Sequence, residues 1–168
     1  MLRFMLFLLL LLLLPVAGFA DVRDGVFGRW AGESSILEIG VVGESLHARV
    51  IALLDPLYLE DEEFGPVGAT RRDDLNPQDS LQNRPILGLD LLVGYRFEKG
   101  KWQGKLYDPG SGNTYSSTMR VDAKGQLQMR GYIGLPMFGR NATFHPISSC
   151  PEDTREMIAL AQLDVACD

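Results

Sequence analysis

Residues 102–134 hold three alternating runs separated by turn-forming residues, and few architectures accommodate that pattern. Trp102-Gln103-Gly104-Lys105-Leu106-Tyr107 leads into Asp108-Pro109-Gly110-Ser111-Gly112-Asn113. Residues 114–121 follow, then a turn at Lys124-Gly125, then residues 127–133. A period of two broken by Gly, Pro and Asn marks an antiparallel meander in which each strand buries one face. Alternation places Trp102, Gly104 and Leu106 on that face, with Tyr115, Ser117, Met119 and Val121, and then Leu127, Met129, Gly131 and Ile133. Tyr107 falls on the opposite face, as a surface or end-cap residue, and Arg130 shares the outward side with Gln128 and Tyr132.

The same period recurs on either side. Residues 26–31 read as an opening strand in which Trp30 plugs one end of the core, and residues 35–41 present Leu37, Ile39 and Val41 on one face. After a turn at Gly43-Glu44, Leu46, Ala48, Val50, Ala52 and Leu54 alternate with outward His47 and Arg49. Leu89, Leu91, Val93, Tyr95 and Phe97 form a long strand, and residues 142–146 a last short one. Ser149-Cys150-Pro151-Glu152 has the spacing of a capping box, followed by a short amphipathic helix carrying Met157, Leu160 and Ala161. The predicted fold is therefore all-β. About eight antiparallel strands with no parallel crossover close into a small up-and-down barrel, which removes exposed edges, and a short helix ends the chain. Eight strands enclose a volume that side chains fill or that holds one small ligand. Ala48, Ala52, Gly104, Ser117 and Gly131 among larger neighbours are consistent with a partial cavity and equally with a solid tapered core.

Outside the barrel pattern lie three segments. Residues 1–20 have a positive flank at Arg3, an apolar run from Phe4 to Leu14, and a break through Pro15 and Gly18 to Ala20. This is the layout of a secretory signal peptide, with cleavage expected after Ala20. The alternative is an uncleaved anchor, because the apolar stretch approaches the roughly 20 residues of a membrane span; Pro15 and Gly18 favour cleavage, leaving no stable span. Residues 21–148 then form the barrel domain and residues 149–168 a helical extension. Residues 55–85 interrupt the barrel with four prolines and the acidic run Glu60-Asp61-Glu62-Glu63, and hold no period for long. They read as a long loop of side-chain-capped turns.

Composition bounds the partners and the compartment. The formal net charge is −6, one unit more negative without Arg3, and no basic stripe is interleaved with aromatics, so nucleic acid is excluded as a partner. The two cysteines, Cys150 and Cys167, form an even pair in a chain read as exported to the periplasm or beyond. An intrachain bridge is expected, with free thiols or an interchain link as alternatives. A straight helix would hold their Cα atoms roughly 25 Å apart, so an intrachain bridge requires the helix to stop early and the chain to double back.

No catalytic constellation emerges. His47 has no Ser, Cys or carboxylate at a telling distance, Gly110-Ser111-Gly112 leads into a strand and not a helix, and Asp74, Asn76 and Asp79 lack the turn Gly and closing Glu of a calcium hand. Neither a metal nor a cofactor is expected. Candidate cavity residues are Trp30, Tyr95, Trp102, Tyr115 and Met129. Arg84, Asp108, Arg130 and Arg140 could converge at one barrel mouth and hold a carboxylate or phosphate, since a guanidinium offers paired donors. Alternatively Arg130 pairs with Asp108 or another acid to lock adjacent strands. A second functional reading is a non-catalytic interaction or structural module using the long loop or the C-terminal helix, with its protein partner undefined.

Several motifs stand in a distinctive order: Gly28-x-Trp30, Asp74-x-Asn76-Pro77, Arg84-Pro85-Ile86-Leu87-Gly88, Trp102-x-Gly104, Tyr107-Asp108-Pro109-x-x-Gly112-x-x-Tyr115 and Arg130-Gly131-Tyr132-Ile133-Gly134. Together they resemble the bacterial exported family called domain of unknown function 2147 (DUF2147), over residues 26–144. The resemblance implies a lipocalin-like barrel, periplasmic or secreted, that binds small hydrophobic molecules. It marks Asp74, Asn76, Asp108, Gly112 and Gly131 as motif positions. Two stretches depart from the family pattern: residues 139–145, where a Thr-rich strand with Trp and a closing Arg is usual, and the extension carrying Cys150 and Cys167.

Overall fold

In the computed structural model, which describes residues 23–60 and 62–167, eight strands follow one another: β1 (Gly28–Ala31), β2 (Ser35–Val42), β3 (Ser45–Leu53), β4 (Leu92–Glu98), β5 (Lys101–Asp108), β6 (Asn113–Val121), β7 (Leu127–Tyr132) and β8 (Arg140–Pro146). The expected signal peptide, residues 1–20, lies outside the described residues. Each strand pairs antiparallel with its neighbours in the order β3-β2-β1-β8-β7-β6-β5-β4, β8 returning to β1 through Trp30↔Pro146 and Ala31↔His145. The ring is joined between β3 and the residues just before β4. There Arg49 bridges Asp90, the Val50 N–H donates to the Leu89 carbonyl at 3.0 Å, and the Leu91 N–H donates to the Ala48 carbonyl at 2.9 Å. The Asp90 carboxylate reinforces this seam by accepting the Ala48 N–H at 2.9 Å and meeting His47 Nδ1. His47 therefore does have a carboxylate partner, brought from 43 residues away by closure of the ring.

One end of this nearly closed barrel is plugged. A 3-10 turn at Asp24–Val26 tucks Val26 into the core. Trp30 Nε1 donates to the Val26 carbonyl and Trp102 Nε1 to the Arg23 carbonyl, both at 2.9 Å. Phe97 meets the Trp102 ring edge-on, 5.5 Å between centroids. Above the plug, Tyr95 lies across Gly104, where any Cβ would come within 2.5 Å of the tyrosine ring. Leu46, Ala48, Val50, Met119, Leu127 and Met129 complete the interior as the alternation requires.

Three residues assigned inward are instead exposed. Val41 sits at the hairpin end of β2, beyond the plug. Val93 is turned out by a register irregularity between Val93 and Arg96, with Gly94 at φ 62°, so Leu92 points inward in its place. Ile133 lies past the end of β7. Tyr107 is corrected in the other direction: it is buried, because a loop covers the barrel wall where it emerges.

That loop, residues 55–85, is folded. Bridges pair Leu57 with Thr70 and Arg72 with Pro85, and its centre is Asp73, fully buried. Asp73 Oδ1 accepts the Tyr107 hydroxyl at 2.5 Å, and Oδ2 accepts Asn76 Nδ2 at 2.8 Å and the Arg84 guanidinium at 2.7 and 2.8 Å. Asn76 Nδ2 also donates to the Tyr107 oxygen at 3.0 Å, and the Arg84 guanidinium lies 5.5 Å from the centre of the Tyr107 ring. Burial first, and then the Asp73 carboxylate, hold the Tyr107 phenol above its usual pKa. Asp74 is directed elsewhere, accepting the Tyr58 hydroxyl at 2.5 Å. The β5–β6 turn docks on this loop through Gly112, at φ 68°, where a Cβ would fall 1.9 Å from the Leu75 carbonyl oxygen.

After β8 the helix α1 (Glu152–Leu160) packs Met157 and Thr154 on the barrel, where Met157 joins Ile36 and Ala52. A register shift between Ile36 and Leu37 allows this pairing outside the barrel while Leu37 stays within. Leu160 is exposed, in contrast to the face expected for it. The capping box does not form: Pro151 occupies the N-cap and the Ser149 hydroxyl donates to the Pro146 carbonyl at 2.8 Å. The helix stops early, Gln162 turns the chain back at φ 52°, and Cys167 reaches Cys150 to form the intrachain disulfide, Cα to Cα 5.5 Å.

Two consequences for stability follow from the loop. Asp73→Ala leaves the Tyr107 hydroxyl and Asn76 amide without their buried acceptor, and costs about 3 kcal/mol in urea unfolding; a loss below that of an exposed Asp→Ala control would contradict the keystone role. Gly112→Ala adds left-handed strain to a clash with Leu75, and costs at least about 2 kcal/mol. A third concerns Tyr95, whose hydroxyl, like that of Ser117, makes no well-formed hydrogen bond. Burial pushes its phenol up to about 12, offset in part by Ser117. The neutral form is the one the barrel holds, so this contribution is intact below pH about 10, the free tyrosine value, and is lost as pH rises through about 12. Ultraviolet titration of wild type against Tyr95→Phe should show one late-ionising phenol missing from the variant; ionisation of that group near pH 10 in the folded protein would refute the assignment.

Candidate ligand-binding site

The end of the barrel opposite the tryptophan plug is open. Across the inward face the register aligns Ser117 with Gly131 and Gly131 with Arg140; Gly131 lines the opening beside Met129, whereas the space over Gly104 is taken by the Tyr95 ring. β1 pairs with β8 only at Trp30 and Ala31, so the first half of β8 stands apart from β2. The result is a cavity of about 720 Å³, within the roughly 300–1,000 Å³ range of small-molecule sites.

Leu37, Leu91, Leu106, Met129 and Phe144 form its apolar base, and Tyr107 and Tyr115 stand in the wall. Tyr132, Ile133, Phe138 and Arg140 form the rim. The Asp73 cluster thus serves the site indirectly, fixing Tyr107 from behind. Two charged groups reach the cavity, Asp108 and Arg140. Asp108 is occupied by its own turn, accepting the Gly110 N–H at 3.0 Å and the Ser111 hydroxyl at 2.7 Å. The Ser111 oxygen lies 3.1 Å from the Tyr115 hydroxyl. Among the described residues Arg140 has no ion pair or hydrogen-bonded side-chain partner, which leaves its guanidinium as the cavity's one uncommitted charge.

Of the residues singled out by sequence, the structure brings Tyr115, Met129, Asp108, Gly131 and Arg140 together around the cavity. Trp30, Tyr95 and Trp102 belong to the plug and the core below it. The four polar residues expected to converge do not: Arg84 is held by Asp73, and Arg130 is directed away. Arg130 does not pair with Asp108 either. Its guanidinium donates to the Pro136 carbonyl at 2.7 and 3.0 Å and to Asn141 Oδ1 at 2.7 Å, which fixes the β7–β8 loop. Sequence reasoning missed Asp73, Asp90, Tyr132, Phe138 and Phe144. Asp73 is flanked by Arg72 and Asp74 in a charged run that offers no sign of burial, and its partner Tyr107 is 34 residues away. Phe138 sits in a Gly/Pro loop without a period.

Comparison with known proteins agrees with this geometry. A protein of Helicobacter pylori, HP1028, described as belonging to the lipocalin family, superposes with a TM-score of 0.55 at 20% identity, over 82% of this chain and 89% of its own. That likeness establishes the fold. A comparison with curated proteins finds no match. Residues 27–145 match the family described as uncharacterized protein conserved in bacteria (DUF2147), and the chain, a lipocalin-like eight-stranded barrel, belongs to that family.

Proposed function

We propose that this protein is an exported, non-catalytic carrier of a small amphipathic anion, held tail-down in the open end of the barrel. The observation that carries the reading is the pairing of an apolar base with one uncommitted guanidinium at the rim, Arg140. An alkyl chain of modest length would cover Leu37, Leu106, Met129 and Phe144, burying apolar surface on both sides at roughly 25 cal/mol per Å². A carboxylate or phosphate head would accept paired hydrogen bonds from Arg140, with the Tyr115 hydroxyl close by. The wall is pre-formed by the Asp73 cluster, so little ordering opposes binding. Export is supported by the signal-peptide pattern of residues 1–20 and by the Cys150–Cys167 disulfide. Among the described residues no helix is long and apolar enough to cross a membrane.

Calorimetric titration with dodecanoate and with dodecanol tests the reading. Wild type binds both, dodecanoate more tightly. Arg140→Gln lowers dodecanoate affinity by roughly tenfold to a hundredfold, the worth of a charged hydrogen bond, and leaves dodecanol unchanged. Ala142→Trp, which fills the cavity, abolishes both. Binding that survives Ala142→Trp, or an Arg140→Gln variant with unaltered preference, would place the ligand elsewhere.

A further inference from the structure

Hydrogen bonding decides which way the Tyr115 hydroxyl in the cavity wall can point its proton. Asp108, Ser111 and Tyr115 form a chain across the β5–β6 turn, and that chain has one proton arrangement. A carboxylate accepts and has no proton to give, so the 2.7 Å bond from the Ser111 hydroxyl to Asp108 Oδ2 uses the serine's single proton. The Ser111 oxygen can then only accept. Across the 3.1 Å between the two hydroxyls the donor is therefore Tyr115, and its single proton is spent as well. What the phenol offers the cavity is a lone pair.

The turn holds this arrangement in place. Asp108 Oδ1 accepts the Gly110 N–H at 3.0 Å, closing a side-chain-capped turn, and Asn113 Nδ2 donates to the Ser111 carbonyl at 3.1 Å. Gly112 is buried against Leu75, which fixes the turn on the folded loop behind it. Each bond polarises the next from the carboxylate outward, so the Tyr115 oxygen accepts more strongly than that of a lone phenol. Asp108 also lines the cavity, and adds its negative field on the same side.

Across the mouth the chemistry is reversed. Tyr115 on β6 and Arg140 on β8 flank Gly131 of β7: Arg140 pairs with Gly131 in register, and a Cβ on Gly131 would lie 3.5 Å from that of Tyr115. Two strand spacings separate their backbones, about 10 Å, and the glycine puts no side chain between them. A guanidinium only donates. The mouth thus sets donors at Arg140 against an acceptor at Tyr115, at a separation that a small head group can bridge.

We infer that the ligand's head group pairs its anionic group with a hydrogen-bond donor a few bonds away, as in a long-chain hydroxy acid. The inference rests on the carrier reading above and narrows it: the anion meets Arg140, and the hydroxyl donates to the Tyr115 oxygen. A plain carboxylate leaves that oxygen without a donor, and Asp108 behind it repels the head.

Calorimetric titration with dodecanoate, 3-hydroxydodecanoate and 3-methoxydodecanoate tests this, since the methoxy acid keeps the oxygen and lacks its proton. Wild type binds the hydroxy acid about threefold to tenfold more tightly than either of the others, the worth of one hydrogen bond. Tyr115→Phe binds all three alike. Asp108→Asn reverses the chain: its side-chain oxygen still takes the Gly110 N–H, its amide donates to Ser111, the serine proton turns to Tyr115 and the phenol proton to the cavity. Every anion then binds more tightly for want of one negative charge, but the hydroxy acid loses its advantage over the methoxy acid. The inference is overturned if wild type takes dodecanoate without preferring the hydroxy acid, a result that leaves the carrier reading standing. It is overturned equally if the methoxy acid shares the preference, or if the preference survives in Tyr115→Phe or Asp108→Asn. Failure of wild type to bind any of the three would overturn the carrier reading itself, and this inference with it.

Discussion

Closing the ring between β3 and β4 is the constraint on which the rest depends. Seven of the eight strand junctions join neighbours through short turns or through continuous pairing, but β3 and β4 are separated by the long loop and meet through one bridge at Arg49 and Asp90. Bringing the ends of such a connection together carries an entropic cost that grows slowly with length, and two carboxylates offset it. Asp90 ties the seam by accepting backbone N–H groups from Ala48 and Leu92. Asp73 ties the loop, gathering Asn76, Arg84 and Tyr107 so that the chain returns to the barrel in one place. The fully buried Asp73 is tolerable because both of its oxygens accept hydrogen bonds, where a bare carboxylate would not be. Without these two, the wall at Leu91 and Tyr107 would lose its backing and the cavity its shape.

The two ends of the barrel are built on opposite principles. At the plugged end, Trp30, Trp102 and Phe97 fill the taper, and both indoles satisfy their N–H on the N-terminal turn, as buried tryptophans require. At the open end the small Gly131 lines the wall, and the neighbouring strand β1 is too short to cover β8. Large residues at both ends would give a solid core, and small ones at both would give a channel with no floor. The asymmetry produces a cup, which is the form a single small ligand can occupy.

Much of this was legible in the chain and some was not, for physical reasons. The eight strands, their antiparallel order and the doubling back after α1 follow from local period, turn chemistry and the reach of a disulfide. Tyr115 and Met129 followed from the same alternation, whereas Arg140 was singled out only as one of several guanidiniums able to hold an anion, ahead of a last strand read from residue 142. Misplaced residues cluster where alternation is interrupted: Val93 at a strand irregularity, Ile133 beyond a strand end, Tyr107 under a loop that turns an outer face into an inner one. Arg84, Arg130 and Asp73 illustrate a further limit. A charged residue's partner is set by tertiary proximity, and Arg130 turned to backbone carbonyls of Pro136 and Met137 that no pattern of side chains announces.

Charge segregation connects the cup to its surroundings. Since the protein is acidic overall, an anion approaching at random meets repulsion over most of the surface, screened beyond about 8–10 Å in physiological salt. Between β5 and β8 the outer face carries Lys105 and Arg130, with the carboxylates Asp108 and Asp122 held in turns at its two ends, and Arg140 stands where that face turns into the cavity. A field of one sign confined to one sector raises local anion concentration and orients approach more than it adds to final affinity. Arg140 itself is exposed at the rim, above the apolar base of the cup, so its attraction for an anion is screened by salt like that of the outer cations. On the proposed reading, attraction toward the mouth and the contact at Arg140 are then both sensitive to salt, and what salt leaves in place is the burial of an apolar tail against Leu37, Leu106, Met129 and Phe144.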